Sequence, residues 1–282
     1  MKIRIFLILT LLILSSATHV QAGWPQPKGQ AFFKFNLFSL RASSYYNGLG
    51  EVIPITTTGL YTASLYAEYG ATDRLTLITY LPLSRSVLNS IEDANGNLLQ
   101  EGDEITTIGD TDIGVRYQLW KRNNFVLSTS LLLGLPLGNP SGGRTQLLQT
   151  GDGEFNQLVS LETGYSLYPL PAYVKASVGY NNRTQGFSNE FRYNLEGGLT
   201  VKKRLHAIAR LYSVAPLGSS NNEIEITNGV FSNRVQFMAF SPELSYEFKE
   251  KFGISLSYGT AFSAKRILAA PSYSIGFYLK VK

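Results

Sequence analysis

The sequence has no cysteine and few charged residues, and both absences narrow its function. Without cysteine the chain has no disulfide framework, no thiolate metal site and no cysteine nucleophile. Charged residues make up only 16% of the 282 residues, whereas aromatic residues make up 12% and glycine occurs 26 times. This composition is unusual for a soluble domain and favours an exported chain that is moderately apolar.

Long hydrophobic runs are also absent, except for one near the N-terminus. Lys2 and Arg4 precede an apolar run from residue 5 to residue 14, and small residues then lead to Val20-Gln21-Ala22. The run is too short for a transmembrane helix, and the order of segments is that of a cleaved secretory signal. We therefore predict a signal peptide at residues 1–22 and a single domain at residues 23–282.

Charge of one sign is not in excess once the predicted signal is removed. The loss of its two basic residues leaves 23 Lys and Arg against 20 Asp and Glu. The short basic clusters KKR and KEK lie in turns, and the sequence has no phosphate-binding glycine loop. Nothing therefore predicts a nucleic-acid partner or a nucleotide cofactor, and we predict no cofactor.

The clearest pattern that is present is a strand pair between Asp110 and Gly138. Apolar and polar residues alternate through IGVRYQL, the polar turn KRNN follows, and the alternation resumes from Phe125 to Leu135. This period of two predicts an antiparallel hairpin. Each arm is about as long as a tilted strand that crosses a membrane, roughly 9 to 11 residues.

The same pattern recurs along the chain and predicts twelve strands. Five short connections, near residues 71, 121, 169, 203 and 250, alternate with six longer ones, the first of them at YYNGLGEVIPITT. An even strand count with short turns at one rim and long loops at the other is typical of bacterial outer-membrane barrels. The fold class is therefore all-β: a single transmembrane antiparallel up-and-down barrel, with the short turns in the periplasm.

Several local features refine this prediction. A slip in the apolar phase near Ala239 and Phe240 predicts a β-bulge, and Trp120 is expected in the aromatic girdle at the short-turn rim. Three strands finish with a similar proline motif, at Pro82, Pro136 and Pro216. Proline cannot donate to a strand ladder, so it is expected at strand ends, bulges or the rim.

Charged residues on the polar face of the strands are expected to line the lumen. They could form a hydrated path for polar solutes, or they could pair across a narrow barrel and close it. Glycines on the same face leave room for long side chains. The predicted pore-lining residues are Glu68, Asp110, Asp112, Arg116, Glu162, Lys175, Arg192, Glu196, Arg210 and Glu247, with Lys280 on the same face.

Catalysis is the rival hypothesis, because some outer-membrane barrels are lipid hydrolases that use Ser and His. The predicted mature chain has one histidine, His206, placed by its turn at the periplasmic rim. A lone histidine far from the outer leaflet is more often structural than catalytic. The sequence Asp93-Ala94-Asn95-Gly96-Asn97 lacks the glycine position of a calcium loop, and Asn95-Gly96 instead predicts a type I′ turn.

The segment from residue 108, IGDTDIGVRYQLW, and the strand end GLPLGNPSG resemble the meta-pathway phenol-degradation (MetA-pathway) family of outer-membrane proteins. The likeness is clearest from about Tyr61 to Gly143. It implies an outer-membrane barrel with a transport role for small organic or aromatic compounds. The chain departs from the aromatic residue that commonly ends such barrels, because it finishes Leu279-Lys280-Val281-Lys282, with Phe277 and Tyr278 close by.

The sequence thus predicts a non-enzymatic outer-membrane transporter or channel for small molecules. The expected partners are outer-membrane lipid and lipopolysaccharide, a small-molecule solute and the outer-membrane assembly machinery. Two alternatives stay open: a structural or surface-binding barrel that transports nothing, and a lipid hydrolase. We predict no metal site.

Overall fold

A computed structural model describes residues 24–218 and 231–282, in which the chain forms strands and turns. The predicted signal peptide lies outside the described residues. The strands are β1 (Ala31–Tyr46), β2 (Val52–Gly70), β3 (Leu75–Leu88), β4 (Ile91–Glu92), β5 (Leu98–Gln100), β6 (Asp103–Ile108), β7 (Thr111–Arg122), β8 (Phe125–Leu135), β9 (Asn156–Ser166), β10 (Ala172–Arg183), β11 (Glu190–Val201), β12 (Leu205–Pro216), β13 (Gln236–Phe248), β14 (Phe252–Lys265), β15 (Ile267–Leu268) and β16 (Ser272–Val281).

The sheet closes on itself because β1 pairs with β2 on one side and with β16 on the other, both antiparallel. Strands β6 and β7 follow one another along β3, and the two-residue β15 extends the edge beside β1. The wall therefore has twelve strand positions, and β4 and β5 form a separate small hairpin. The prediction of a closed twelve-stranded antiparallel barrel is confirmed.

The two faces of the wall have the opposite polarity from a soluble protein. Along β1, Phe33, Phe35 and Leu37 are 37–44% exposed. Many of the buried side chains are polar instead, among them Thr58, Thr76, Ser86 and Ser128. Apolar groups facing outward and polar groups facing inward are what lipid around a barrel requires.

The short turns lie where the sequence predicts them, and they share one rim with residue 282. Apart from the turn at residues 47–51, the opposite rim carries the longer connections, so we place the short-turn rim in the periplasm. Trp120 is exposed near this rim and contacts Phe125, with ring centroids 5.4 Å apart, as expected for an interfacial aromatic pair. No helix in residues 24–218 or 231–282 is long and apolar enough to cross a membrane.

Three local predictions are wrong. The first connection is a tight turn at residues 47–51, because β1 and β2 extend toward each other beyond a register shift at Ala42 and Ser44. No bulge lies at Ala239 and Phe240: even-numbered side chains of β13 face outward without interruption, and the register shift lies at residues 236–238.

The predicted type I′ turn at Asn95-Gly96 is also wrong. The Gly96 N–H donates to the Asp93 carbonyl oxygen, so Ala94 and Asn95 occupy the centre of the turn. Gly96 follows with a φ of +81°. This is a three-residue hairpin loop in which the glycine closes a bulge. The Asp93 carboxylate also accepts the N–H groups of Asn95 and Asn97, which fixes the loop without an ion.

Pro82 lies inside β3 rather than at its end, opposite the break between β6 and β7. The Pro82 carbonyl oxygen accepts the N–H of Gly109, and the pairing register along β3 changes between Ile108 and Asp112. A residue without an N–H fits a bulge in the ladder. The prediction that the prolines lie at strand ends, bulges or the rim is therefore confirmed for Pro82, which lies at a bulge. Pro216 ends β12 and Pro136 directly follows β8, as predicted.

Candidate functional site

A set of alternating charges lines the lumen, and we call it the charge ring. Four carboxylates and four basic groups follow one another from strand to strand around most of the barrel. Their alternation makes the set neutral as a whole. In order, they are Glu68 on β2, Arg116 on β7, Glu162 on β9, Lys175 on β10, Glu196 on β11, Arg210 on β12, Glu243 on β13 and Lys34 on β1.

Arg116 joins one half of the charge ring. Its Nη1 lies 2.9 Å from Glu68 Oε1 and its Nε lies 3.0 Å from Glu162 Oε2. Lys175 Nζ lies 3.6 Å from the same Glu162 oxygen, and the Ser130 hydroxyl donates to the other oxygen over 2.7 Å. These contacts satisfy charges that would be costly to bury unpaired.

Arg210 joins the other half in the same way. Its Nε lies 2.6 Å from Glu196 Oε2 and its Nη1 lies 2.9 Å from Glu243 Oε2. Lys34 Nζ lies 3.2 Å from Glu243, and the Tyr173 hydroxyl donates to Glu196 over 2.7 Å. Lys175 and Glu196 are register partners on β10 and β11, which links the two halves.

The short-turn end of the lumen is narrowed by the segment that precedes β1. The Gln26 N–H donates to Thr76 Oγ1, and its side-chain Nε2 donates to Glu68 Oε2, each over 2.8 Å. The Trp24 ring lies against Gly164 on β9, where an added Cβ would be 3.4 Å from it. We call residues 24–30 the N-terminal segment. It reaches from the wall at β2 and β3 to the wall at β9 and narrows this end.

The opposite end of the lumen is narrowed by residues 136–155, which we call the mouth loop. Asp110, between β6 and β7, holds both ends of the loop, because its carboxylate accepts the N–H of Gly138 over 3.0 Å and of Asp152 over 2.7 Å. Leu148 and Thr150 are at most 1% exposed, so the loop folds inward rather than into solvent.

A second group of charges fixes the mouth loop to the wall. Arg183, at the end of β10, contacts Glu154, lies 2.7 Å from Asp152 and lies 2.7 Å from Glu190. Arg192 in turn lies 2.9 Å from Glu190. We call this group, with Asp110 and Asp112, the mouth cluster: five carboxylates, Asp110, Asp112, Asp152, Glu154 and Glu190, and two guanidinium groups, Arg183 and Arg192.

Asp152 belongs to the mouth loop, outside the spanning strands, and its titration depends on its contacts. Burial raises the pKa of Asp152 to about 6, because it outweighs the opposing charge of Arg183, and the nearby Asp110 carboxylate raises the pKa further. Burial also raises the pKa of Glu154. The loop therefore contains acids that bind protons more tightly than free side chains do.

A cavity of about 470 Å³ remains within the lumen. It lies against the wall formed by β13, β14, β16, β1, β2 and β3, with Thr150 of the mouth loop on one side. Lys34 and Glu243 of the charge ring also line it. Hydroxyl, amide and aromatic groups alternate over its surface, including Asn36, Phe38, Thr62, Tyr80 and Ser274.

His206 has neighbours at the short-turn end. The Thr200 hydroxyl lies 2.9 Å from its Nδ1, and Glu247 Oε2 lies 3.6 Å from its Nε2. Glu247 also forms an ion pair with Lys280. Thr200 is only 5% exposed, so a substrate has little access to its hydroxyl. His206 on β12 thus lies between Thr200 on β11 and Glu247 on β13. These hydrogen-bond and ion-pair contacts are those of a packed interior.

The structure brings nine of the ten predicted pore-lining residues into ion pairs or hydrogen bonds within the lumen or its mouth, and the tenth, Asp112, lies within electrostatic reach of Arg192. Six of the ten, from Glu68 to Arg210, belong to the charge ring, and Glu247 pairs with Lys280. Sequence reasoning missed Lys34, Glu243, Arg183, Glu190, Asp152 and Glu154.

The missed residues differ in how far the alternation of apolar and polar residues could have identified them. Lys34 alternates with Phe33 and Phe35, so the pattern of β1 was sufficient to find it. Glu243 was hidden by the supposed phase slip in β13. Arg183 and Glu190 lie at strand ends, where alternation no longer defines a face.

Within the described ranges, no group of three or more His, Asp or Glu side chains is arranged to hold a metal ion. The charged groups of the lumen are engaged with one another instead.

Comparison with solved structures places the fold among outer-membrane barrels. An outer-membrane channel of the COG4313 group from Pseudomonas putida F1 superposes with a TM-score of 0.67 at 14% identity, over 93% of this chain and 99% of that one. The NanC porin gives 0.54 at 9% identity, over 88% and 100%. The translocator domain of the autotransporter NalP from Neisseria meningitidis gives 0.51 at 10% identity, over 100% and 96%. A comparison with curated protein sequences finds no match.

The chain has the fold of outer-membrane channels and porins, which confirms the predicted architecture. One family of sequences also matches, over residues 58–277. That range covers most of the chain, including the mouth loop and every member of the charge ring except Lys34, and it confirms the resemblance seen in the sequence. The protein belongs to the family described as "Putative MetA-pathway of phenol degradation".

Proposed function

We propose that the protein is a passive channel for small molecules in a bacterial outer membrane, and that solute passes through the lumen. The supporting observation is the cavity of about 470 Å³ inside a closed barrel, between the N-terminal segment and the mouth loop. The solved relatives described as a channel and a porin share this fold. The predicted pore-lining residues are proposed to border the path.

The lining of the cavity suits small organic solutes that are neutral and partly apolar. Phe38, Tyr66 and Tyr80 offer ring faces, while Thr62 and Ser274 offer hydroxyl groups. A solute with an aromatic body and one or two polar groups can satisfy both kinds of surface. The family description names phenol degradation, and this lining fits a solute of that chemical class.

The proposed location requires export, for which the predicted signal at residues 1–22 would serve. The outward apolar side chains are proposed to contact phospholipid and lipopolysaccharide acyl chains, and the barrel is proposed to be inserted by the outer-membrane assembly machinery. We assign no catalytic role to His206, because its Thr200 neighbour is buried.

One observation favours a second candidate, a barrel that transports nothing. The N-terminal segment, the charge ring and the mouth loop all narrow the lumen, and together they resemble a seal. Transport and sealing differ in one measurable property, the permeability of vesicles that contain the protein.

The test is liposome swelling with neutral organic solutes of increasing size. We expect wild-type protein to admit the smallest solutes. The variant Asn36→Trp places an indole in the cavity and should lower the swelling rate severalfold.

A matched control comes from the adjacent residue of the same strand. Leu37 faces lipid, so Leu37→Trp adds an indole of the same size outside the barrel and should leave swelling unchanged. Equal rates for wild-type protein and protein-free liposomes would favour the sealed barrel instead.

A further inference from the structure

The short-turn rim carries a concentration of positive charge that lies outside the cavity and the charge ring. Among the described residues, ten basic side chains are exposed there against two acidic ones, Asp73 and Glu250. We call the ten the basic rim. They are Lys28, Arg74, Lys121, Arg122, Lys202, Lys203, Arg204, Lys249, Lys251 and Lys282.

Most of the basic rim has no carboxylate to neutralise it. In the part of the chain that the structure describes, Lys282 alone of the ten lies within 4.0 Å of an acidic oxygen, that of Glu250. By contrast, two exposed arginines at the opposite rim are paired: Arg85 with Glu104, and Arg144 with Glu101 at 2.8 Å. The basic rim is therefore available to an external anion.

The turns of the basic rim hold lysine where the backbone favours other residues. Lys202 and Lys203 have φ values of +49° and +62°, and Lys249 has a φ of +48°. Turns with positive φ at these positions prefer asparagine and glycine. These turns therefore place charged residues, including Glu250 with a φ of +59°, where asparagine or glycine would be less strained.

An aromatic belt fixes the depth of these charges in the membrane. Tyr246 and Phe248 are exposed on the lipid face of β13, with ring centroids 5.0 Å apart, and Phe252 is exposed at the start of β14. Lys249 and Lys251 lie in the turn just beyond them. Aromatic belts mark the level of the headgroups, so the ammonium groups lie at the level of lipid phosphates.

We propose that the basic rim binds the phosphate groups of anionic glycerophospholipids in the leaflet that faces the short turns. The turns between β11 and β12 and between β13 and β14 would form the strongest part of the site, since five basic side chains lie there against Glu250 alone. The bound lipids would anchor this rim at a fixed depth. Attraction of this kind depends on charge and weakens with added salt.

Native mass spectrometry tests the proposal. Purified full-length protein in a neutral detergent is mixed with phosphatidylglycerol and phosphatidylcholine of identical acyl chains. We expect the wild type to retain phosphatidylglycerol preferentially, and the preference to fall as ammonium acetate is raised. The variant Lys202→Gln/Lys203→Gln should lower the preference by about thirtyfold, as two lysines near a charged surface predict.

The matched control is Arg85→Gln/Arg144→Gln, which also removes two exposed charges but from groups that already have carboxylate partners. It should keep the wild-type preference. Heat-modifiable gel mobility checks that both variants are folded. If the wild type shows no preference that salt weakens, or if the control loses as much as the rim variant, the proposal fails. Stronger retention of lipid A through the same two lysines would overturn the assignment to glycerophospholipid.

Discussion

Arg116 is the residue on which two buried carboxylates of the charge ring depend. Its guanidinium group contacts Glu68 and Glu162 and is itself 8% exposed. Each carboxylate has other hydrogen bonds, from Gln26 and Tyr66 to Glu68 and from Ser130 to Glu162, but these are neutral donors. The other cation near Glu162, Lys175, lies farther away, at 3.6 Å. The charge of Arg116 therefore offsets most of the desolvation of the two acids.

We expect Arg116→Met to destabilise the folded barrel by about 3 to 5 kcal/mol, because it leaves two buried carboxylates without their shared cation. Urea unfolding in lipid vesicles, followed by tryptophan fluorescence, measures the change. The control Arg144→Gln breaks an exposed pair and should change stability by less than about 1 kcal/mol. Equal effects of the two substitutions would contradict a buried, charge-dependent ring.

Asp152 predicts how the mouth loop responds to pH. In the closed loop its pKa is raised to about 6, whereas a free aspartate titrates near 3.9. The closed state therefore takes up a proton that the open state does not hold, and closure is favoured as the pH falls through about 6. Above that pH this stabilisation of the closed loop is lost.

Channel conductance should accordingly decrease between pH 7.5 and pH 5, with a midpoint near 6. Planar-bilayer recordings at several pH values measure it. The variant Asp152→Asn is neutral at every pH, so its conductance should lose most of this dependence. An Asp152→Asn channel that keeps the full dependence would assign it to another group, such as Glu154.

Among the elements, the N-terminal segment differs from the strands in how it is held. Its backbone does not extend the sheet as a strand. Its contacts with the wall are two hydrogen bonds from Gln26, two backbone hydrogen bonds that join Gly29 and Gln30 to Gly70, and the packing of Trp24 on Gly164. Elements held by few contacts open at low free energy compared with the strands beside them. The segment is therefore the part of the lumen that can move without unfolding the barrel.

The double variant Trp24→Gly/Gln26→Gly should raise the single-channel conductance without lowering the unfolding midpoint by more than a few degrees. Conductance in planar bilayers and the thermal mobility shift on gels provide the two readouts. The control Trp120→Gly removes an indole from the lipid face and should leave conductance unchanged. No increase in the first variant would show that the narrowest part of the path lies elsewhere, at the charge ring or the mouth loop.

Alternation was enough to predict the strands, because a barrel in lipid must separate its faces at every residue. It predicted Arg116 and Glu162 as lumen residues for that reason. Alternation could not show that Arg116 on β7 meets Glu162 on β9, because the contact depends on side-chain reach across β8. The inward fold of the mouth loop was also hidden, since Leu148 and Thr150 lie in a loop without a period. The sequence likewise gave no sign that residues 24–30 enter the lumen.

At the scale of the molecule, the charges of residues 24–218 and 231–282 are separated along the barrel axis. The mouth cluster has five carboxylates against two guanidinium groups, the charge ring is neutral, and the basic rim surrounds the other opening. Dissolved cations are thus concentrated at the opening that carries the mouth cluster, and dissolved anions at the opening that carries the basic rim. A pore with this arrangement should pass more ionic current in one direction of applied voltage than in the other.

We therefore expect an asymmetric current–voltage curve in 0.1 M KCl that becomes nearly symmetric in 1 M KCl. The screening length falls from about 10 Å to about 3 Å between these conditions, so the end charges no longer act on ions inside the lumen. Neutralising Lys202, Lys203 and Arg204 together to glutamine should reduce the asymmetry at low salt, whereas Arg85→Gln/Arg144→Gln should not. A curve that is symmetric in 0.1 M KCl would mean that the selectivity of the path is decided inside the neutral charge ring, and that the two ends serve the membrane rather than the solute.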